Sequence, residues 1–143
     1  MKGEEPNVAL FIDGPNMLRK EFMIDLRELK KRVRKYGRIV IAKVFLNQFA
    51  PKKLIEAIIN EGLEPVVVLA EEDDADIDVS LAVSAIESIL IKDVNMIAIA
   101  TRDADYLPVV QKAKEYGKKV IVVAAESAFS SALKNSADFV EIL

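Results

Sequence analysis

The sequence predicts an α/β fold: a three-layer α/β/α sandwich around a mainly parallel sheet. Three observations predict it. Short apolar runs alternate with amphipathic stretches almost from end to end. Those runs are continuously apolar, the pattern of strands buried on both faces by flanking helices. Gly and Pro fall between them, with Pro at a helix start and Gly just past helix ends. The length, 143 residues, suits one domain over 1–143, with residues 1–6 expected to be flexible and no internal repeat.

Val8 to Ile12 is the first strand. Asn16 to Lys35 reads as one helix, with Leu26, Leu29 and Val33 at helical spacing and Tyr36-Gly37 ending it. Ile39 to Leu46 is the second strand. Pro51 to Asn60 is a helix closed by Gly62. Glu64 to Leu69 is the third strand, and Glu71 to Asp74 an acidic loop. Asp76 to Leu90 is a helix whose apolar stripe is expected at Val79, Val83, Ile86 and Leu90. Asn95 to Ala100 is the fourth strand, Asp105 to Tyr116 a helix ended by Gly117, and Lys119 to Ala124 the fifth strand. A short helix over Ala128 to Lys134 and a short strand over Phe139 to Ile142 complete the chain.

Composition narrows the chemistry. The chain has no cysteine, which excludes disulfides, thiolate zinc sites and cysteine nucleophiles. It has no histidine, which removes imidazole bases, Ser–His triads and imidazole metal sites. Catalysis must run on carboxylates, hydroxyls, amides, Lys or Arg. No apolar run reaches the roughly 18–20 residues of a membrane span, and the start lacks a basic-then-apolar signal segment. A cytoplasmic protein is therefore expected. A formal charge of −3 does not suggest a general coat for nucleic acid.

In open α/β sheets, sites form outside the carboxyl ends of strands, near a switch in strand order. Acids concentrate there. The first strand runs into Asp13-Gly14-Pro15-Asn16 and the fourth into Thr101-Arg102-Asp103-Ala104-Asp105. The third leads to Glu71-Glu72-Asp73-Asp74, then to Asp76 and Asp78. Helix capping is the competing explanation, since acids suit helix N-termini. Capping accounts for Asp105 or Asp76 taken singly, and solvation accounts for Glu71 to Asp74. It accounts less well for Asp13, which closes a strand before its helix begins, or for Asp103 beside Asp105. Clustered carboxylates repel one another, and a divalent cation relieves that repulsion. Oxygen donors alone favour Mg²⁺ or Mn²⁺ over zinc, and carboxylate-bound Mg²⁺ suits phosphoryl chemistry.

At these residues the sequence resembles the NYN domain family of the PIN-like nuclease superfamily, especially its LabA-like (DUF88) branch. Phe11-Ile12-Asp13-Gly14-Pro15-Asn16 is similar to the opening "hydrophobic-Ile-Asp-Gly-x-Asn" motif. Ile77-Asp78-Val79-Ser80-Leu81-Ala82 is similar to the "Val-Asp-Val-x-Leu" helix start. Thr101-Arg102-Asp103-Ala104-Asp105-Tyr106-Leu107-Pro108 is similar to "Ser/Thr-Gly-Asp-x-Asp-Phe-x-Pro", and Leu133 to Phe139 to the usual ending. The resemblance implies the PIN-like strand order 3-2-1-4-5 and metal-dependent cleavage of RNA. It implies an acidic site of Asp13, Asp78, Asp103 and Asp105 holding Mg²⁺ or Mn²⁺, with Asn16 and Thr101 in support. Arg102 stands where the family commonly has Gly, so that it either contacts substrate phosphate or crowds the site. The family's Lys before the second motif is missing, and Ser84 replaces an acid later on that helix.

The basic run Arg27, Lys30, Lys31, Arg32, Arg34, Lys35 and Arg38 fits a solvated helix face better than a phosphate track, because it lies far from the acidic edge. Arg19, Lys20 and Arg102 are better placed for substrate, and Lys43 is expected to snorkel outward from its strand. Asn47-Gln48-Phe49 falls on the acidic edge and reads as a plain loop. The aromatics fit a core, not a stacking platform. A metal-dependent ribonuclease is the leading expectation. The alternatives are a non-catalytic RNA-binding or regulatory module on the same fold, and a Mg²⁺ phosphatase, although Pro15 stands where a haloacid-dehalogenase-type motif has its second Asp. RNA is the expected partner and a membrane is not. A homodimer and a separate specificity partner both remain open.

Overall fold

Strand β1 (Asn7–Asp13) owes its place at the middle of the sheet to a five-residue apolar run with no exposed face. The computed structural model describes residues 4–17, 25–72, 77–101, 106–124 and 131–143; the side chain of Asn16 also lies outside the described atoms. Around β1 lie β2 (Arg38–Asn47), β3 (Glu64–Val68), β4 (Met96–Ala100), β5 (Lys119–Ala124) and β6 (Phe139–Ile142). Their order is β3-β2-β1-β4-β5-β6, every neighbouring pair parallel. This is the expected order with β6 added at the edge. The order reverses direction between β1 and β4, so the carboxyl ends of those two strands flank the switch point.

Side chains alternate across a strand, and this sorts the core into two halves. Val8, Leu10, Ile12, Val44, Leu46, Ala98, Ala100, Ile121 and Val123 face one way, under α2 (Leu26–Arg34) and α3 (Lys52–Asn60). Ala9, Phe11, Phe45, Ile97, Ile99, Val120 and Val122 face the other, under α4 (Asp78–Ile89), α5 (Leu107–Glu115) and α6 (Ser131–Ser136). No helix among the described residues is long and apolar enough to cross a membrane.

Two expectations about helices are corrected. The single helix over 16–35 is not formed. A one-turn helix, α1 (Gly14–Met17), follows β1, and α2 starts afresh at Leu26. Asp25 is extended at φ −88°, ψ 110°, and its side chain accepts N–H bonds from Arg27 (2.9 Å) and Glu28 (3.3 Å). That is an N-cap, and the capped turn leaves Leu26, Leu29 and Val33 buried as expected. In α4 the expected stripe faces the wrong way. The buried residues are Leu81, Ala85, Ser88 and Ile89, whereas Val79, Val83 and Leu90 are exposed. Both faces of this helix are apolar, so periodicity alone could not choose between them.

At the far edge, Glu141 of β6 is buried (8% exposed) yet carries a charge. Lys35 Nζ lies 3.1 Å from Glu141 Oε2, Arg32 lies 3.4 Å from Oε1, and the Tyr36 hydroxyl donates to the same carboxylate. Burial opposes ionisation, but these donors outweigh it and hold the Glu141 carboxyl below its ordinary value. Burial, together with that carboxylate, pushes the Tyr36 phenol up to about 12. Because the folded value is lowered, the contribution to stability is present above the ordinary Glu value and lost as pH falls through the folded one. Glu141→Gln is expected to cost about 1–2 kcal/mol at neutral pH, a deficit that closes in acid. Urea denaturation at several pH values measures it.

Candidate active site

The alternation that sorts the core also builds the site. Beyond Ala9 and Phe11, the next residue of β1 on the same face is Asp13. Beyond Phe45 in β2 it is Asn47. Beyond Ile97 and Ile99 it is Thr101, just past β4. Three polar side chains therefore end three apolar strands on one face of the sheet. All three are buried: Asp13 at 3%, Asn47 at 5% and Thr101 at 0% exposed. Asp13 sits level with Phe45 of β2, next to the switch point.

Two helices complete it from above. The start of α4 brings Asp78, and the residue before α5 brings Tyr106, which is 1% exposed. The Tyr106 hydroxyl lies 2.8 Å from Asp78 Oδ1 and 3.2 Å from Asp13 Oδ2. The Thr101 hydroxyl is 3.5 Å from the same Asp13 oxygen. One phenol proton thus stands between two carboxylates that are far apart in sequence. Its pKa is raised, first by burial, then by the Asp13 charge and the bond to Asp78. Tyr106 stays a neutral donor across the physiological range.

The β1–α1 turn is held tightly. A Cβ on Gly14 would come within 2.4 Å of the Phe45 carbonyl oxygen and 2.4 Å of Leu46 Cδ2. Glycine lets the chain carrying Asp13 pass this close to β2. Gly14→Ala is expected to destabilise by about 1–3 kcal/mol through overpacking, and to lower any activity that depends on Asp13. Paired denaturation curves and activity assays check both effects.

Of the residues singled out in the sequence, Asp13, Asp78 and Thr101 meet here. Asn16 lies in α1, but its side chain is outside the described atoms. Arg102, Asp103 and Asp105 lie outside the described residues, as do Arg19 and Lys20. Asn47 is not a plain loop residue. It ends β2 and its Oδ1 accepts the Phe49 N–H at 2.9 Å. Tyr106 was missed, having been taken as core. The signal was its hydroxyl, at a position where the resembled motif carries Phe.

Among the described residues, no three carboxylates group closely enough to hold a metal ion. The described contribution is the pair Asp13 and Asp78, with hydroxyls from Tyr106 and Thr101. Every donor is a hard oxygen, and two carboxylates share one proton donor. That donor set fits Mg²⁺ or Mn²⁺ and does not fit a soft-ligand metal.

Comparison with known proteins agrees with this architecture. The family model of the NYN domain matches residues 7–143. The chain is 53% identical over 139 residues to the uncharacterized protein MJ0482 of Methanocaldococcus jannaschii, covering 97% of this chain and 55% of that protein. The chain thus spans about half the length of that relative. The crystal structure of VPA0982, a protein of unknown function from Vibrio parahaemolyticus, superposes with a TM-score of 0.84 at 20% identity. That likeness covers 100% of this chain and 96% of that one, and it bears on the fold.

Proposed function

The chain belongs to the NYN domain family, within the PIN-like superfamily, and from that membership we propose that it is a metal-dependent ribonuclease acting at Asp13, Asp78, Asp103 and Asp105. Members of the family are generally nucleases, which supports the reaction class. The observation that carries the reading is the meeting of Asp13 and Asp78 at the Tyr106 hydroxyl, on the carboxyl edge of the sheet.

Asp13 and Asp78, with Asp103 and Asp105 from the loop after β4, would hold Mg²⁺ or Mn²⁺. Bound there, such an ion supplies Lewis acidity toward a phosphate oxygen and makes water more acidic. The chain's own residues do the positioning. Asp13 is fixed by the rigid end of β1, and Asp78 by the first turn of α4. Tyr106 keeps both carboxylates aimed at one point without adding charge. Thr101 steadies Asp13, and Asn16 and Arg102 lie on segments suited to meeting the phosphate. With no histidine in the chain, a carboxylate is the group available to take a proton from the attacking water. The reaction is hydrolysis: water forms the new P–O bond and a ribose oxygen leaves.

The test is incubation of end-labelled single-stranded RNA with the protein in Mn²⁺, in Mg²⁺ and in EDTA. Cleavage in either metal and none in EDTA is expected. RNA retained but uncut in every condition would favour the non-catalytic module instead. A panel of phosphate monoesters, turned over in place of RNA, would favour a phosphatase.

A further inference from the structure

Helix α4 is apolar on two opposite sides. Ile77, Leu81 and Ala85 pack onto the sheet. On the opposite side, Val79 is 78% exposed, Val83 54% and Leu90 66%, with Ile91 following at 44%. Ile86 completes that outer row from a half-buried position. The spacing 79, 83, 86, 90 runs 4-3-4, the seam of two packed helices. A helix that is apolar all round belongs in an interior. The sheet beside it is also incompletely covered. Ile41 of β2 and Val66 and Val68 of β3 lie on the α4 side and are only partly buried.

We propose that this face is the contact between two copies of the chain, with α4 packed antiparallel on α4 about a two-fold axis. The row is complementary to itself in that arrangement. Val79 of one copy meets Leu90 of the other, and Val83 meets Ile86, so each small side chain faces a larger one. Charge permits it: between Asp78 and Ile91 the sequence holds one other ionisable residue, Glu87. In the antiparallel register Glu87 falls opposite Ala82, not opposite its own counterpart. The contact is isologous and closes at two copies. The outer row and the partly covered sheet residues offer on the order of 300 Å² of apolar side chain per copy. A standard interface buries about 800 Å² per partner, so this is the apolar centre of a modest, reversible dimer whose polar rim supplies the rest. The contact is independent of the nuclease reading.

Sedimentation velocity from micromolar to near-millimolar protein tests it. A concentration-dependent monomer–dimer equilibrium is expected. Val83→Glu places like charges near the two-fold axis and should weaken association by at least about 100-fold, with an unchanged circular dichroism spectrum because the position is exposed. Since the chain has no cysteine, Val83→Cys supplies a unique thiol. A short bis-maleimide should join two copies through it, and should fail to do so for Lys53→Cys on α3. A monomer at every concentration, or a dimer untouched by Val83→Glu, overturns the proposal and leaves this face to a different protein or to another segment.

Discussion

Asp13→Asn is expected to lower RNA cleavage by about 100- to 1,000-fold, the range for losing several kcal/mol of charge stabilisation at a metal site. Its effect on folding should run the other way. Asp13 is buried 3% exposed, with Asp78 reaching the same phenol. Without a cation the two negative charges oppose each other, so removing one leaves metal-free stability unchanged or raises it by up to about 1 kcal/mol. Asparagine nearly matches the shape of aspartate and still accepts from Tyr106. Loss of activity together with loss of stability would mark Asp13 as a structural residue. Loss of activity with stability kept marks a functional one. Thermal unfolding in EDTA beside the cleavage assay separates the two.

Tyr106→Phe is the second large effect. It removes a hydroxyl from a site that is 1% exposed and leaves two carboxylates facing an apolar ring. Losing a hydrogen bond to a buried charge costs about 1.5–3 kcal/mol. The cost should be smaller in the Asp13→Asn background, because one of the two charges is then gone; a double-mutant cycle reads that coupling. The pH dependence has a definite sign. Burial first, then the two carboxylates, raise this phenol above its ordinary value of 10.0. The contribution of neutral Tyr106 is therefore complete below about pH 10 and is lost as pH rises beyond it. Wild type should lose stability steeply in alkali where Tyr106→Phe does not. Equal alkaline slopes would show that the buried phenol is not bonded as described.

Most of the architecture could be read from the chain because it is written in local pattern. Continuous apolar runs identify β1, β4 and β5 as strands covered on both sides, and the acids that close them locate the edge. What could not be read depended on tertiary choice. In α4 two apolar rows compete. Only the sheet, by accepting Leu81 and Ala85, decides that Val79 and Val83 point outward. The break before α2 was hidden because Asp25 caps with its side chain and leaves no glycine or proline to mark the boundary. Tyr106 was hidden for a different reason. A tyrosine at the start of a helix looks like core until its hydroxyl is seen to reach acids contributed by β1 and α4.

The claim on which the account turns is that Asp13 and Asp78 share a divalent cation. Calorimetric titration of Mn²⁺ into wild type, Asp13→Asn and Asp78→Asn tests it without requiring turnover. The account predicts saturable binding to wild type, weakened by at least about tenfold in each variant. Binding of equal strength to all three proteins would contradict it.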